Sequence, residues 1–379
     1  MIIEVKGVQF VNKGAELMLY AVIQQLQDRV PNARLVLEPG PNSPYDKRAK
    51  IGALQKFSIK KGRFDLNKLS YFIPKRIRSW LINSFGIVLE ADVDIILDAS
   101  GFAYGDQWGS TKIKHLCNEI LRMNKSDKKY IFLPQALGPF TRDVDVSRLR
   151  RALPKATLIC AREKSSYDSV TNIIGKHSNI VQFGDFTNLV NPIVDQHWRD
   201  YTNLMLIIPN YNMMSDRNVD SKWKDNYLSL LAECIKIGDM KGMTPVILNH
   251  EGHEDEKICT LIRNMSEKNI EIFHEQDSRK VKGIISVAKL IVCSRFHGCV
   301  SALSQGVPCL GTSWSHKYEH LFDEYGLSEC LLVPNNSGEQ LESKMSYALE
   351  HSSLISETPR TIFKKESSDL WDKVVSAIK

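Results

Sequence analysis

Short apolar runs rich in Val, Ile and Leu alternate with amphipathic stretches along almost the whole chain, and this alternation limits the fold more than any other feature. Strand and helix in repeated succession lead to mostly parallel sheets, because each helix carries the chain back to begin the next strand in the same direction. Residues 2–10 read as a strand, 12–16 as a turn and 17–29 as an amphipathic helix stopped before Pro31. Further strands are expected at 34–37, 93–97, 130–133, 157–161 and 180–182. After a connecting stretch at 191–203 the pattern restarts, with strands at 204–209, 245–248, 270–273, 290–293 and 307–311 and helices at 222–237, 255–265 and 281–288. A last amphipathic helix is expected at 367–378.

A chain of 379 residues exceeds the size of a typical single core. The reading is an N-terminal α/β domain over 1–195, a C-terminal α/β domain over 200–355 and a C-terminal helical segment over 356–379 packing back across both. Hydrophobic and charged fractions of 43% and 25% are those of a globular protein. No apolar run approaches the length of a membrane-spanning helix. The opening residues read as a strand rather than a signal peptide, since Glu4 and Lys6 interrupt the apolar run. Eight cysteines are scattered without a Cys-x-x-Cys pair, which fits buried free thiols and a cytoplasmic location.

The net charge of +6 is unevenly spread. Residues 47–78 hold eleven Lys and Arg against one acid, Asp65, so the rest of the chain is net acidic. Phe72, Ile73, Trp80, Leu81 and Ile82 are mixed in with these bases. Such a mixture suits peripheral contact of segment 47–80 with an anionic membrane, at the inner face of the cell membrane. A solvated loop and helix is the alternative. No nucleic-acid module accompanies the charge, so nucleic acid is not expected as a partner.

Arg295-Phe296-His297 stands where the strand at 290–293 turns into a helix. The positive end of a helix favours an anion there. Arg295 can add a planar fork for carboxylate or phosphate, and His297 can carry a proton near neutral pH. The pair reads as the catalytic unit for a small anionic substrate. His250-Glu251-Gly252-His253-Glu254-Asp255 has the look of a metal site, yet acids gathered at a helix start explain it better. No metal is expected, and His250 is kept as a substrate contact. Neither Gly-x-x-x-x-Gly-Lys-Ser/Thr nor a Gly-x-Gly-x-x-Gly after a strand is present, which weighs against kinases and dinucleotide-dependent dehydrogenases.

Asn12-x-Gly14-x-Glu16, Pro134-Gln135-Ala136-Leu137-Gly138-Pro139, Ala161-Arg162-Glu163-x-Ser165-Ser166 and Arg295-Phe296-His297 with Gly306-x-Pro308 and Lys317 together resemble the polysaccharide pyruvyl transferase family. Asp98-Ala99-Ser100-Gly101 stands where that family has a glycine-rich loop, and Ala15 where it often has Asp. The resemblance implies two doubly wound Rossmann-like domains facing across a cleft, as in the glycosyltransferase-B arrangement. It also implies transfer of a pyruvyl group from phosphoenolpyruvate to two hydroxyls of a sugar in a surface-polysaccharide precursor, lipid-linked or free, with a ketal as product. Phosphoenolpyruvate is then the donor substrate, and no cofactor is expected.

On that reading Lys317 and Arg162 can reach the anionic donor, with an ion pair to Glu163 or Asp168 as the alternative for Arg162. Asn12, Gly14, Glu16, Gln135 and Asp98 are candidate substrate-binding positions. Glu16 is equally explained by the helix dipole, and Gly138 and Pro139 by the shape of their turn. Asp106 is a further candidate for sugar hydroxyls. Tyr104, Trp108 and Trp314 can stack on sugar rings or pack, and His316 is a weaker candidate beside Lys317. Two other readings stay open: a nucleotide-sugar glycosyltransferase on the same scaffold, and a non-catalytic carbohydrate-binding relative.

Overall fold

Parallel sheets are what a computed structural model of the protein contains. It describes all residues except 62, 63, 217, 219, 267, 314, 316 and 356, and all their side chains except those at 61 and 352–355. Trp314 and His316 thus lie outside the described residues. The chain divides into two units. The first comprises residues 1–10, 18–186 and 366–379, and the second Val11–Leu17 and Thr187–Lys365. The division falls at residue 187 rather than between 195 and 200, and the turn before the first helix belongs with the second unit.

The first unit holds β1 (Ile2–Lys6), β2 (Arg34–Leu37), β3 (Leu54–Lys56), β4 (Lys60–Lys61), β5 (Phe64–Asp65), β6 (Ile87–Val88), β7 (Ile95–Asp98), β8 (Lys129–Gln135), β9 (Leu158–Ala161) and β10 (Ile180–Gln182). Eight of these form one sheet in the order β10-β9-β8-β7-β1-β2-β3-β6, all pairs parallel. β4 and β5 make a separate antiparallel hairpin. The first strand ends at Lys6, not at Phe10, because Gly7 turns away with φ of 81°. The second unit holds β11 (Leu204–Ile208), β12 (Thr244–Asn249), β13 (Glu271–His274), β14 (Leu290–Cys293), β15 (Cys309–Thr312) and β16 (Leu331–Leu332). Their order is β13-β12-β11-β14-β15-β16, again parallel throughout. Each sheet has one point where the strand order reverses, between β1 and β7 in one and β11 and β14 in the other. In open α/β sheets ligands gather outside the carboxyl ends of the strands at that point.

β11 and β14 are buried at every residue, as strands covered on both faces must be. All eight cysteines are buried and free. Among the described residues no helix is long and apolar enough to cross a membrane. The final helix runs Glu357–Ile378, starting well before residue 367. Its second half lies in the first unit, where the fully buried Trp371 meets Phe186 edge to face at 6.1 Å.

The basic segment is only partly a surface. Arg48 is buried and bonds the Ser43 carbonyl and Gln55. Lys56 is buried against Glu4, Lys60 reaches Glu119 at 3.4 Å, and Arg78 pairs with Asp92 at 2.7 Å. Lys6 also pairs with Glu119. Burial alone pushes the Glu119 carboxyl up, but Lys6, Lys60 and Lys56 outweigh it and hold the group well below its ordinary range.

Candidate active site

Where the strand order reverses in the second unit, Ile208 pairs with Cys293 at the ends of β11 and β14. The residues that follow build a buried polar knot. Tyr227 and Thr312 donate to the Ser294 hydroxyl at 2.6 and 2.8 Å, while Tyr318 and the Asn210 amide donate to the Ser294 carbonyl, both at 2.9 Å. Every one of these groups is buried, and each bond satisfies an atom that would otherwise be costly there. Ser294 is thereby fixed, and with it the backbone that presents Arg295.

Arg295 stands at the N-cap position of the helix Phe296–Leu303, without a side-chain bond to that helix end. Its guanidinium is not an open clamp. Nε and Nη2 donate to both oxygens of Asp255 at 2.5 to 2.9 Å, and Nη1 pairs with Glu251. Asp255 also accepts from the Tyr211 backbone amide at 3.0 Å. Burial draws both partners towards neutrality, Asp255 up to about 7 and Arg295 down to about 10. At neutral pH Arg295 stays charged, and its two-pronged bond favours the Asp255 carboxylate. Glu251 is the more exposed acid, and Asn12 donates to it at 2.6 Å.

His297 lies against the backbone of Gly14. A Cβ on Gly14 would fall 2.2 Å from His297 Nδ1, so only glycine permits this approach. His250 is buried beside them, and burial, then the charges of Arg295, His297 and Lys13, hold its imidazole well below the ordinary 6.5. Lys317 starts the helix Lys317–Glu324, its ammonium 5.0 Å from the centre of the Phe296 ring. Glu16 has a structural occupation: it accepts from Lys13 at 3.0 Å and from the Ser278 amide at 3.2 Å, at the start of helix Ser278–Ser286. Residues 13–16 are helical rather than a turn, with the Asn12 side chain accepting from the Ala15 amide. The second unit thus gathers Asn12, Gly14, Glu16, His250, Arg295, His297 and Lys317. Sequence reasoning missed Asp255 as the partner of Arg295, having read it only as one more helix-start acid. It also missed Asn210, Tyr227 and Thr312, which no local pattern connects to Ser294.

In the first unit Asp98, Gln135 and Arg162 follow one another at the ends of β7, β8 and β9. The Gln135 amide donates to the Asp98 carbonyl, and the Arg162 backbone amide donates to the Gln135 carbonyl, both at 3.1 Å. Asp98 is not open to sugar hydroxyls. Its oxygens accept from the Ser100 amide and hydroxyl and from the hydroxyls of Tyr104 and Tyr130, which fills a buried carboxylate. Tyr104 is correspondingly buried. Arg162 bonds Glu163 at 3.3 Å. Gln135 is completely buried, and its Oε1 has no hydrogen-bond partner among the described residues. Gly138 has φ of 91° and sits where a Cβ would strike Ser169, so its turn requires glycine. Asp106 accepts from the Thr141 amide and hydroxyl at 2.9 and 2.7 Å. Trp108 packs edge to face on Phe102, with Lys112 over its ring. Among the described residues no three His, Cys, Asp or Glu side chains are grouped to hold a metal ion.

Solved structures of similar fold include epimerases and glycosyltransferases. UDP-N-acetylglucosamine 2-epimerase from Neisseria meningitidis, bound to UDP-GlcNAc, has a TM-score of 0.61 at 11% identity, covering 99% of each chain. A glycosyltransferase from Rickettsia africae has 0.58 at 12%, covering 100% of this chain and 97% of its own. Anabaena HepE in complex with UDP and glucose has 0.55 at 12%, covering 99% and 98%. At such identities the likeness shows the fold, that of the two-domain glycosyltransferase-B class. No curated protein matches the sequence. A family model described as polysaccharide pyruvyl transferase matches residues 12–316, from the Asn12 turn through Arg295 and His297, and the chain belongs to that family.

Proposed function

We propose that the protein transfers a pyruvyl group from phosphoenolpyruvate to two hydroxyls of a sugar in a surface-polysaccharide precursor, with no further cofactor. Two hydroxyl oxygens add to C2 of the donor, the C2–O bond to phosphate breaks, and phosphate leaves. One hydroxyl proton is matched by the proton gained when the methylene becomes a methyl, and the other by the departing phosphate. Such a step needs cations for two anionic groups and a proton carrier beside an oxocarbenium-like C2. Arg295 and Lys317 supply the cations, and His297 serves as acid and base or as phosphate ligand. Because Glu251 and Asp255 already hold Arg295, donor binding exchanges the more exposed Glu251 for the donor's carboxylate or phosphate. The observation that carries this reading is the meeting of Gly14 and His297, which joins the two ends of the family match in one place.

Calorimetric titration of phosphoenolpyruvate into wild type and Arg295→Ala tests it, with a thermal melt to show that the variant is folded. Binding lost in the folded variant, with phosphate release on adding a saccharide acceptor, is the expected result. A nucleotide-sugar glycosyltransferase is the second reading, favoured by the UDP complex of the Anabaena neighbour. Tight binding of UDP with silence towards phosphoenolpyruvate would replace the first reading with it. On either reading we place the protein in the cytoplasm at the inner face of the cell membrane, a placement supported by the basic and aromatic residues of segment 47–80.

A further inference from the structure

Eight of the nineteen large apolar side chains that are exposed among the described residues fall within residues 57–85. Phe72 is 81% exposed, Phe64 74%, Phe85 59%, Trp80 57%, and Phe57 and Ile77 49% each. A monomeric surface rarely gathers so much apolar area in so short a segment without a partner for it. Between residues 66 and 89 there is no acid at all, and Lys68, Lys75 and Arg76 are exposed. Lys75 and Arg76 stand in the first turn of the helix Lys75–Phe85, which has no acid there. Cations at that end oppose the helix dipole, so the fold alone does not favour them. Ile77 and Trp80, three residues apart, share one helix face, and Trp80 meets Phe85 edge to face at 5.0 Å.

We propose that residues 64–85 of the first unit are a docking surface for an anionic lipid bilayer, in which Phe72, Trp80 and their apolar neighbours enter the headgroup boundary while Lys68, Lys75 and Arg76 meet lipid phosphate. Charge decides the partner: exposed aromatics beside Lys68, Arg76 and Lys75, of which only Lys75 feels a nearby carboxylate among the described residues, that of Asp92, complement an anionic interface and repel a second copy of the same surface. The internal pairs of Arg48, Lys56, Lys60 and Arg78 remove those four from the docking charge. The proposal rests on the transfer reading only in naming where a lipid-carried acceptor is met; docking itself is measured without turnover.

Flotation of the full chain with phosphatidylcholine vesicles, with and without phosphatidylglycerol, tests it. Wild type is expected to float with the mixed vesicles, to be released by salt, and to stay behind with the neutral ones. Phe72→Ser with Trp80→Ser should weaken binding about tenfold or more. Lys75→Glu with Arg76→Glu should weaken it about fivefold or more per charge. Both pairs are exposed, so folding and turnover of a soluble saccharide should persist. Absence of flotation, equal flotation with neutral vesicles, or a dimer that Trp80→Ser dissociates would each overturn the proposal. Flotation without any pyruvyl transfer would retire the transfer reading and leave the docking surface standing.

Discussion

The contact between Gly14 and His297 is the tightest constraint in the candidate site, because a single methyl cannot be added without moving an imidazole. Gly14→Ala should therefore cost about 1 to 3 kcal/mol in chemical denaturation, as overpacking does. In the background of His297→Ala the same change should cost clearly less, and the difference is the coupling between the two positions. Additive losses would mean that the ring is free to step aside. His250 gives a second test. Its folded-state affinity for a proton is depressed by burial and by neighbouring cations, so the unfolded chain binds a proton that the native one refuses. Stability from this group is full above the ordinary 6.5 and is lost as pH falls below it, by up to about 1.4 kcal/mol per pH unit. Unfolding measured between neutrality and mild acid should show that slope in wild type and a flatter one in His250→Gln.

At the scale of elements, the helix Ser278–Ser286 starts on two carboxylates. Asp277 accepts from the Arg279 amide at 2.9 Å, and Glu16 from the Ser278 amide. Asp277→Ala should cost about 1 kcal/mol in stability. Glu16→Ala should cost about 1 to 3 kcal/mol, since it strips a buried amide of its acceptor. Thermal melts of the two variants, beside their turnover, separate this capping role from catalysis: a Glu16→Ala enzyme that melts normally yet turns nothing over would make Glu16 a base. Most strands were legible because apolar runs rich in β-branched residues, such as Leu290-Ile291-Val292, leave few alternatives. The short strands Leu54–Lys56 and Ile87–Val88 were not, since runs of two or three residues show no readable alternation and owe their place to neighbours already in the sheet. Arg295 and His297 were legible as a strand-to-helix pair. The carboxylates that hold Arg295 were not read as its partners, because Asp255 is forty residues away and looked like an ordinary helix-start acid.

On the scale of the whole molecule, the chain leaves the first unit at residue 11, re-enters it at 18, leaves again at 187 and returns at 366. Local sequence carries no mark of such exchanges, which is why the expected boundaries were simple cuts. The last return matters for stability. Trp371, Leu370 and Val374 are fully buried, so the C-terminal helix supplies core to a unit whose other residues lie far upstream. Trp371→Ala should cost about 3 to 5 kcal/mol, read as an earlier unfolding transition of the first unit in calorimetry. An unchanged melt would show that this helix is dispensable to that core. The charged pair inside the same unit bears on how the sequence can drift. Replacing Lys56 or Glu4 alone takes the bonded partner from a buried charge, at up to about 3 to 5 kcal/mol, whereas a joint exchange for Met and Leu removes both charges together and should cost less, with Lys6 and Lys60 still holding Glu119. In a library scored for folding, each position will look frozen when varied singly and permissive when both vary together, so descendants of this protein must cross that change in one step or not at all.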